Sequence, residues 1–359
     1  MMSAPAPRRV CLLRLSAIGD TCHVVPVLRT LQHAWPQAQF TWIIGASEFR
    51  LMRLLADVEF IIVDKRAGLA GVAALRRQLR GRSFDALLHM QIALRASLIA
   101  REVRAPLKVG FDRARARELQ WLFTNTRIAP RAREHVLDSF FGFPAALGVP
   151  HRVLRWDVPL PAEALEHAAR IIPDGPDARP TLVISPCSSH ALRNWRAERY
   201  AAIADLAATR HGMRVILCGG PSAIERTSGA AIVAAARAPL VNLIGRDSLP
   251  QMLALLARAT VLVTPDSGPA HMATMVGTPV IGLYAATNPA RTGPYLSRAW
   301  CVDAYPQAAR RFRGRAPEEL PWTEKIEVEG VMDLIGVEAV TERLEALLRT
   351  PRELIGSPP

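Results

Sequence analysis

The sequence predicts an α/β protein with two parallel β-sheets, each covered by helices on both faces. Short apolar runs alternate with segments of helical periodicity along the chain, and strands that alternate with helices are typical of parallel sheets. At 359 residues the chain is long enough for two domains of ordinary size. A stretch with six prolines between Pro150 and Pro180 predicts a linker near residues 172–179.

In the first half, five apolar runs predict strands and four segments with apolar residues at helical spacing predict helices. The predicted strands are Val10–Leu15, Phe40–Ile44, Phe60–Val63, Phe84–Met90 and Lys108–Phe111. The predicted helices are His23–Trp35, Leu69–Leu79, Leu94–Val103 and Arg133–Leu147.

After the proline-rich stretch the same alternation starts again. The predicted strands are Thr181–Ser185, Arg214–Cys218, Leu240–Leu243, Val261–Thr264 and Val280–Tyr284. The predicted helices are Arg196–Thr209, Ser222–Arg237, Leu249–Arg258, Gly268–Met275 and Val337–Leu348, the last as a closing amphipathic helix. Arg310–Pro321 is polar and rich in Arg and Pro, which predicts a loop.

Composition favours a folded protein of the cytoplasm. Half of the residues are hydrophobic, yet no apolar run approaches the roughly 20 residues of a membrane span. The apolar run that begins at Val10 is interrupted by Arg14 and is too short for the core of a signal peptide. The five scattered cysteines lack C-x-x-C spacing, so we expect reduced and mostly buried thiols without a zinc site.

The positive charge of the chain is concentrated in its first part. Residues 1–135 contain 22 Lys and Arg against 10 Asp and Glu, a net charge of +12, whereas the remainder has 23 against 22, a net charge of +1. This asymmetry predicts that the first domain meets an anionic partner. Nucleic acid, an anionic membrane surface and a phosphorylated substrate remain open at this point, as does an Arg-rich surface that reflects only codon usage.

The stretch from Val261 to His271 predicts a buried strand, a tight turn and the start of a helix. Ser267 is a good N-cap residue, Gly268 permits close approach to the backbone, and Pro269 suits a first helical turn. A helix that begins at the carboxyl end of a parallel strand offers unpaired N–H groups to a phosphate. An ordinary strand–helix corner would have the same pattern.

Other polar groups follow predicted strands, where ligands of open α/β sheets bind. Asp20 follows Gly19 after the first strand, so its carboxylate could accept a proton from a hydroxyl nucleophile or simply cap the next helix. Ser188 and Arg193 follow the strand 181–185 and could hold phosphate oxygens, although a solvated loop is the plainer interpretation. Glu225 follows Gly219-Gly220 and could accept ribose hydroxyls, although a glycine turn explains the same residues.

Several common nucleotide motifs are missing. The sequence contains no G-x-x-x-x-G-K-[ST] P-loop, and neither domain's first strand is followed by G-x-G-x-x-G. It also lacks a D-x-D carboxylate pair for a divalent metal. Any departing phosphate group would therefore have to be stabilised by Arg193 and the helix start at Ser267.

Two segments resemble the bacterial lipopolysaccharide heptosyltransferases of glycosyltransferase family 9. Leu13-Arg-Leu-Ser-Ala-Ile-Gly-Asp20 with His23-Val-Val-Pro26 is similar to the start of that family, and Asp266-Ser-Gly-Pro-Ala-His271 is similar to its D-[ST]-G-x-x-H signature. The resemblance extends through Trp195, Gly219-Gly220 and Thr287-Asn288-Pro289 to the closing Trp322…Met332…Val337 pattern.

The resemblance implies a GT-B fold, in which two Rossmann-like domains face each other across a cleft. It implies an acceptor domain at residues 1–172, a nucleotide-sugar domain at 180–335, and a closing helix and tail at 336–359. It implies inverting transfer of a heptose from ADP-heptose, without a metal or other cofactor, to an anionic, lipid-linked saccharide of the lipopolysaccharide inner core. We expect a cytoplasmic protein, with peripheral contact to the inner membrane and no nucleic-acid partner.

The resemblance also assigns roles to residues. Asp20 matches the position of the general base, and the acceptor-side positions fall near Gln91, Arg95 and Arg117. The positions that contact the donor match Arg193, Glu225, Asp266, Ser267, Gly268 and His271. We also expect donor contacts from Ser188, in the loop after the strand 181–185, and from Thr287, in the Thr287-Asn288-Pro289 turn.

The sequence departs from the family pattern at three places. Arg193 stands where the family usually has Lys, Pro186-Cys187 replaces the usual Pro-Gly, and Ala285-Ala286-Thr287-Asn288-Pro289 replaces Gly-Pro-Thr-Asp-Pro. These changes alter how closely the backbone approaches a donor, so a different nucleotide sugar, such as a hexosamine donor, is the alternative. A basic nucleic-acid- or membrane-binding protein without catalysis is a more distant one, because aromatic residues make up only 6% of the chain.

Overall fold

The computed structural model describes residues 6–64, 67–351 and 353. The chain forms two compact units, and the first ends at Pro159 where the second begins at Leu160. The sequence interpretations of residues 1–5 and of most of the tail after 351 lie outside the described residues.

The first unit contains one all-parallel sheet in the strand order β3-β2-β1-β4-β5-β6. Its strands are β1 (Arg9–Leu13), β2 (Gln39–Gly45), β3 (Glu59–Val63), β4 (Ala86–His89), β5 (Leu107–Gly110) and β6 (Thr126–Arg127). Its helices are α1 (Ile18–Ala34), α2 (Ala46–Met52), α3 (Gly68–Leu79), α4 (Leu94–Glu102) and α5 (Val136–Ala146).

The second unit repeats this architecture, with the strand order β12-β11-β10-β7-β8-β9, again all parallel. Its strands are β7 (Thr181–Ile184), β8 (Arg214–Leu217), β9 (Val241–Asn242), β10 (Val261–Pro265), β11 (Val280–Tyr284) and β12 (Val302–Asp303). Its helices are α6 (Ala162–Ile171), α7 (Ala197–His211), α8 (Ala223–Ala235), α9 (Leu249–Arg258), α10 (Gly268–Met275), α11 (Pro289–Thr292), α12 (Tyr305–Arg313) and α13 (Val337–Arg349).

Both sheets have the strand order of the Rossmann fold, which confirms the predicted fold class. In such sheets the strand order reverses between two neighbouring strands, and ligands bind beyond the carboxyl ends at that switch point. The switch points lie between β1 and β4 in the first unit and between β7 and β10 in the second. The start of helix α1, which carries Asp20, and the loops that carry Gln91, Arg193 and Asp266 follow these four strands.

Helix α1 begins five residues earlier than predicted. It starts at Ile18 rather than at His23, and Gly19 is buried in its first turn. Pro26 lies inside the helix without ending it. The hydroxyl of Thr30 donates to the carbonyl oxygen of Pro26 at 2.8 Å. Asp20 therefore belongs to the first turn of a helix and not to the preceding loop.

Two other predictions about the second unit need correction. Helix α6 lies inside the proline-rich stretch and contacts α9, so the two units divide before α6 rather than at residues 172–179. Helix α12 includes Arg310–Arg313, which were predicted as a loop. It forms because Tyr305, Ala308 and Ala309 are buried on one face while Arg310 and Arg311 remain exposed on the other.

The closing helix and the buried cysteines are confirmed. Helix α13 contacts α7, β11 and β12, and it buries Val340, Leu344 and Leu347 in the core of the second unit. All five cysteines are buried and unpaired. Among the described residues, no helix is both long enough and apolar enough to cross a bilayer.

Candidate glycosyl-transfer site

The carboxylate of Asp20 is held by an arginine at the end of β1. The guanidinium of Arg14 forms an ion pair with Asp20 Oδ2, and its Nη1 donates to the carbonyl oxygen of Met90 at 2.5 Å. The guanidinium also lies 5.3 Å from the centre of the Phe140 ring. Only 12% of the Arg14 side chain is exposed, against 32% for Asp20, so the arginine supports the carboxylate from the protein side.

Asp20 occupies the third position of α1 and not the N-cap. The N-cap residue is Ala17, whose backbone N–H donates to Asp20 Oδ2 over a long 3.4 Å. The hydrogen bonds that the described structure gives to this carboxylate all reach Oδ2. Capping is thus a minor part of its contacts, and Oδ1 is available to a ligand.

Gln91 joins the ends of β1 and β4 beside this ion pair. Its Oε1 accepts a hydrogen bond from the Leu15 backbone N–H at 2.6 Å, and its Nε2 donates to Ser16 Oγ at 3.4 Å. The carbonyl oxygen of Gln91 accepts a hydrogen bond from Gln120 Nε2 at 3.0 Å. In this structure the Gln91 side chain therefore fixes the loop that leads to Asp20.

A neutral histidine lies beneath the same strand end. Burial, together with the charges of Arg14 and Lys108, lowers the pKa of His89 to about 3. Its Nε2 and Ser97 Oγ are 3.0 Å apart, and its carbonyl oxygen accepts a hydrogen bond from Gln120 at 2.9 Å. The charge beside Asp20 is therefore that of Arg14 and not that of the imidazole.

Arg95 and Arg117 are both exposed, and they lie in two segments that one hydrogen bond joins. In this bond the backbone N–H of Leu94, which precedes Arg95, donates to Oε2 of Glu118, which follows Arg117, at 2.7 Å. The bond joins the start of α4 to the loop before Gln120. The two predicted acceptor-side arginines thus lie on neighbouring segments.

In the second unit, Ser188 shapes the loop after β7. Its hydroxyl donates to the carbonyl oxygen of His190 and accepts from the His190 backbone N–H, both at 3.1 Å. Its own backbone N–H donates to Asn194 Oδ1 at 2.7 Å, and the residue is buried. The nearby Trp195 is also buried and donates from Nε1 to the carbonyl oxygen of Ile335 at 2.9 Å.

Arg193 lies between two carboxylates. Its Nε and Nη2 contact Glu327 Oε1 at 2.7 and 2.5 Å, whereas its Nη1 lies 3.5 Å from Asp266 Oδ2. Burial raises the pKa of Glu327, but the hydrogen bond and charge of Arg193, with the charge of His190, outweigh burial and hold the pKa below its ordinary value. Glu327 is therefore ionised at neutral pH and fixes one edge of the guanidinium.

The start of α10 has the predicted position but a different cap. Ser267 is the N-cap residue in extended conformation, yet its hydroxyl pairs with Thr264 Oγ1 at 2.7 Å and not with a backbone N–H of the helix. Ser267 and Gly268 are partly exposed, whereas His271 is buried one turn later. The first turn of α10 therefore keeps N–H groups that can bind an anion.

Glu225 stabilises the turn after β8, whereas the sequence predicted a role in binding ribose hydroxyls. Its Oε1 accepts from the Gly220 backbone N–H at 2.6 Å, and its Oε2 accepts from the Ser222 hydroxyl at 2.5 Å. A Cβ atom added at Gly219 or Gly220 would lie only 3.1 or 3.0 Å from these oxygens. The glycines thus permit the glutamate to close the turn after β8.

Thr287 is buried in the turn after β11, just before Asn288, which caps α11. The neighbouring strands β11, β10, β7 and β8 bring the loops with the predicted donor residues to one edge of the second sheet. Direct contact among these residues is seen between Arg193 and Asp266. Within the described residues, His, Cys, Asp and Glu form no group of three or more that could hold a metal ion.

Two residues of the site were missed by the sequence interpretation. Arg14 had a usable signal, because a charged residue that interrupts a buried strand needs a partner. Glu327 had none, since it stands 134 positions after Arg193 in a loop without a recognisable motif.

Two units that each carry a parallel sheet in the Rossmann strand order make up the GT-B fold, and solved structures share this fold. The chain matches the glycosyltransferase family 9 structure from Veillonella parvula with a TM-score of 0.77 and 22% identity, covering 95% of this chain and 97% of that one. It matches the Escherichia coli heptosyltransferase WaaC with ADP with a TM-score of 0.72 and 21% identity, covering 94% and 99%.

The sequence comparisons identify the family. The profile described as glycosyltransferase family 9 (heptosyltransferase) matches residues 72–320. The chain is 40% identical over 342 residues to the lipopolysaccharide core heptosyltransferase OpsX of Haemophilus influenzae, covering 95% of this chain and 97% of the relative. The chain belongs to glycosyltransferase family 9, the heptosyltransferases, and is a glycosyltransferase.

Proposed function

We propose that this enzyme transfers a heptose, with inversion, from ADP-heptose to an anionic inner-core saccharide of lipopolysaccharide. The observation that carries this substrate class is the 40% identity to a lipopolysaccharide core heptosyltransferase, which extends over 95% of the chain. An enzyme that acts on a lipid-linked acceptor would work at the cytoplasmic face of the inner membrane as a peripheral protein.

On the acceptor side, Asp20 is the general base. Its carboxylate takes the proton of the acceptor hydroxyl while that oxygen attacks the anomeric carbon of the donor and the bond to ADP breaks. Arg14 binds Oδ2 and so holds the carboxylate in place, which leaves Oδ1 as the acceptor of the proton. Gln91, Arg95 and Arg117 would contact the acceptor, where the arginines suit its anionic groups.

On the donor side, Arg193 and the first turn of α10 stabilise the departing diphosphate. Glu327 occupies the Nε and Nη2 edge of Arg193, whereas Nη1 lies 3.5 Å from Asp266, which is long for a hydrogen bond. Nη1 is therefore the part of the guanidinium that would bind a phosphate oxygen. Fixed cationic and N–H donors at a developing negative charge lower the barrier of such a transfer.

The remaining predicted donor contacts follow strands β7, β8, β10 and β11 of the second sheet. They are Ser188, Glu225, Ser267, Gly268, His271 and Thr287, with Asp266 either as a ligand contact or as a support of the turn. Glu225 would release its Ser222 contact to accept ribose hydroxyls.

We expect Asp20→Ala to lower kcat by about 10²–10⁴-fold, the contribution typical of a general base. The Kd for ADP should change little, because the residue lies on the acceptor side. Turnover with ADP-heptose and ADP calorimetry measure the two effects. Asp57→Ala, which removes an exposed carboxylate of the same unit, should keep full activity. Undiminished turnover of Asp20→Ala would remove this residue from the mechanism.

Arg193→Ala should raise the Kd for ADP by about 10–100-fold, because hydrogen bonds to charged groups contribute about 1.5–3 kcal/mol. Arg193→Lys should restore part of the affinity. Its positive charge remains, but lysine cannot reproduce the contact of Nε and Nη2 with Glu327 that orients the guanidinium. Calorimetric titration with ADP measures both, and Arg210→Ala, on the exposed side of α7, is the control. An unchanged affinity of Arg193→Ala would place the diphosphate elsewhere.

A comparison of donors tests the substrate proposal itself. Turnover with ADP-heptose should exceed turnover with UDP-hexosamines at equal concentration, with a heptose-free inner-core acceptor in both assays. Faster transfer from a UDP-sugar would assign the enzyme to another nucleotide sugar. It would also give a reason for the unusual Ala285-Ala286 turn, where both alanines are buried beside Thr287.

A further inference from the structure

Large leucine side chains are exposed on one flank of the first unit. Leu98 is 51% exposed and Leu122 is 68% exposed, and Leu94 and Leu119 are each more than two-fifths exposed. Single exposed leucines are ordinary on protein surfaces, but a group of them marks an interaction surface.

Contacts between the segments that carry these leucines bring the segments together. Leu94 and Leu98 stand four residues apart on α4 and therefore lie on the same face of the helix. The hydrogen bond from the Leu94 N–H to Glu118 Oε2, at 2.7 Å, brings the segment with Leu119 alongside. Leu122 lines a surface groove of about 490 Å³ together with Arg101 of the same helix. We name this surface the leucine–arginine face and define it by Leu94, Leu98, Leu119 and Leu122 with the cations that surround them.

The surroundings of the leucines are strongly positive. Residues 94–125 contain seven Lys and Arg against three Asp and Glu, a net charge of +4. Of the three acids, Glu102 is paired with Arg76 and Asp112 with Arg115. The exposed cations of this segment include Arg95, Arg101, Arg113 and Arg117. The third acid, Glu118, is exposed and accepts the hydrogen bond from the Leu94 N–H, so an anionic partner meets a net positive segment that includes one exposed carboxylate.

We propose that the leucine–arginine face docks on an anionic phospholipid bilayer. Branched aliphatic side chains set among arginines suit the boundary between head groups and acyl chains, where apolar burial and attraction to anionic lipids add. A nucleic-acid surface would instead present exposed aromatic side chains for stacking on bases. Here the most exposed apolar side chains are leucines, whereas Trp121 and Phe123 are only partly exposed.

The face is connected to the strand end that carries the catalytic region. Gln120, in the turn just before Leu122, donates from Nε2 to the carbonyl oxygens of Gln91 and His89 at 3.0 and 2.9 Å. Gln91 in turn holds the loop that leads to Asp20. Docking through this face would thus hold the Asp20 edge of the sheet near a lipid-linked acceptor, and this consequence rests on the proposed function.

The test is sedimentation of the full-length protein with vesicles of phosphatidylglycerol and phosphatidylethanolamine, beside vesicles of phosphatidylcholine alone. The wild type should bind the anionic vesicles and bind the neutral ones much more weakly. Leu98→Gln/Leu122→Gln keeps the charge of the protein and should lower its partition by about tenfold or more, because two apolar contacts are lost. Arg101→Gln/Arg113→Gln should lower it as well and should reduce its dependence on salt.

Leu165→Gln is the matched control, because Leu165 is 43% exposed on α6 of the second unit. It should bind vesicles like the wild type. All variants should bind ADP normally, which shows that they are folded. Equal partition of Leu98→Gln/Leu122→Gln and the wild type would overturn the proposal, as would a wild type that ignores anionic vesicles but binds duplex DNA. Loss of heptose transfer with vesicle binding intact would contradict the proposed function alone.

Discussion

The ion pair between Arg14 and Asp20 is the interaction on which the first unit's site depends. A guanidinium at the end of a buried strand must find a partner, since an uncompensated charge in such surroundings costs several kcal/mol. Arg14 obtains its contacts from three elements: Asp20 on α1, the carbonyl oxygen of Met90 after β4, and the ring of Phe140 on α5. The same contacts fix the carboxylate at the switch point of the sheet. The stability of the unit and the placement of the proposed base thus have one cause.

The second unit also contains a largely buried arginine, which is held by ion pairs with more than one carboxylate. Arg193 is surrounded by carboxylates, and Glu327 holds two of its nitrogen atoms while Nη1 stays at 3.5 Å from Asp266. Because the guanidinium is pre-oriented, less side-chain freedom would be lost in the proposed binding of a diphosphate.

Local patterns in the sequence were sufficient for the fold and for the strand–turn–helix at Asp266. Apolar runs and their periods predicted β10 and α10 because both elements depend on residues close in sequence. The start of α1 was misplaced because Gly19, a residue type that weakens helices, lies in its first turn. Helix α12 was missed because its arginines obscured a short amphipathic pattern around Tyr305.

The contacts of the site residues were beyond prediction from local sequence. No spacing relates Arg193 to Glu327, since the two meet only after the chain has closed the second sheet. The same holds for the hydroxyl of Ser267, which fits an N-cap by sequence but pairs with Thr264 in the folded chain. The roles of these residues toward donor and acceptor remain predictions.

In the proposed mechanism, transfer is a single displacement: Asp20 takes the proton of the acceptor while ADP leaves from the opposite face of the sugar. The most direct measurement is the anomeric configuration of the product formed from ADP-heptose, read from one-bond carbon–proton couplings in the NMR spectrum. This mechanism predicts an anomeric configuration opposite to that of the donor. A product with the donor's configuration would require two successive displacements or a front-face reaction and would contradict it.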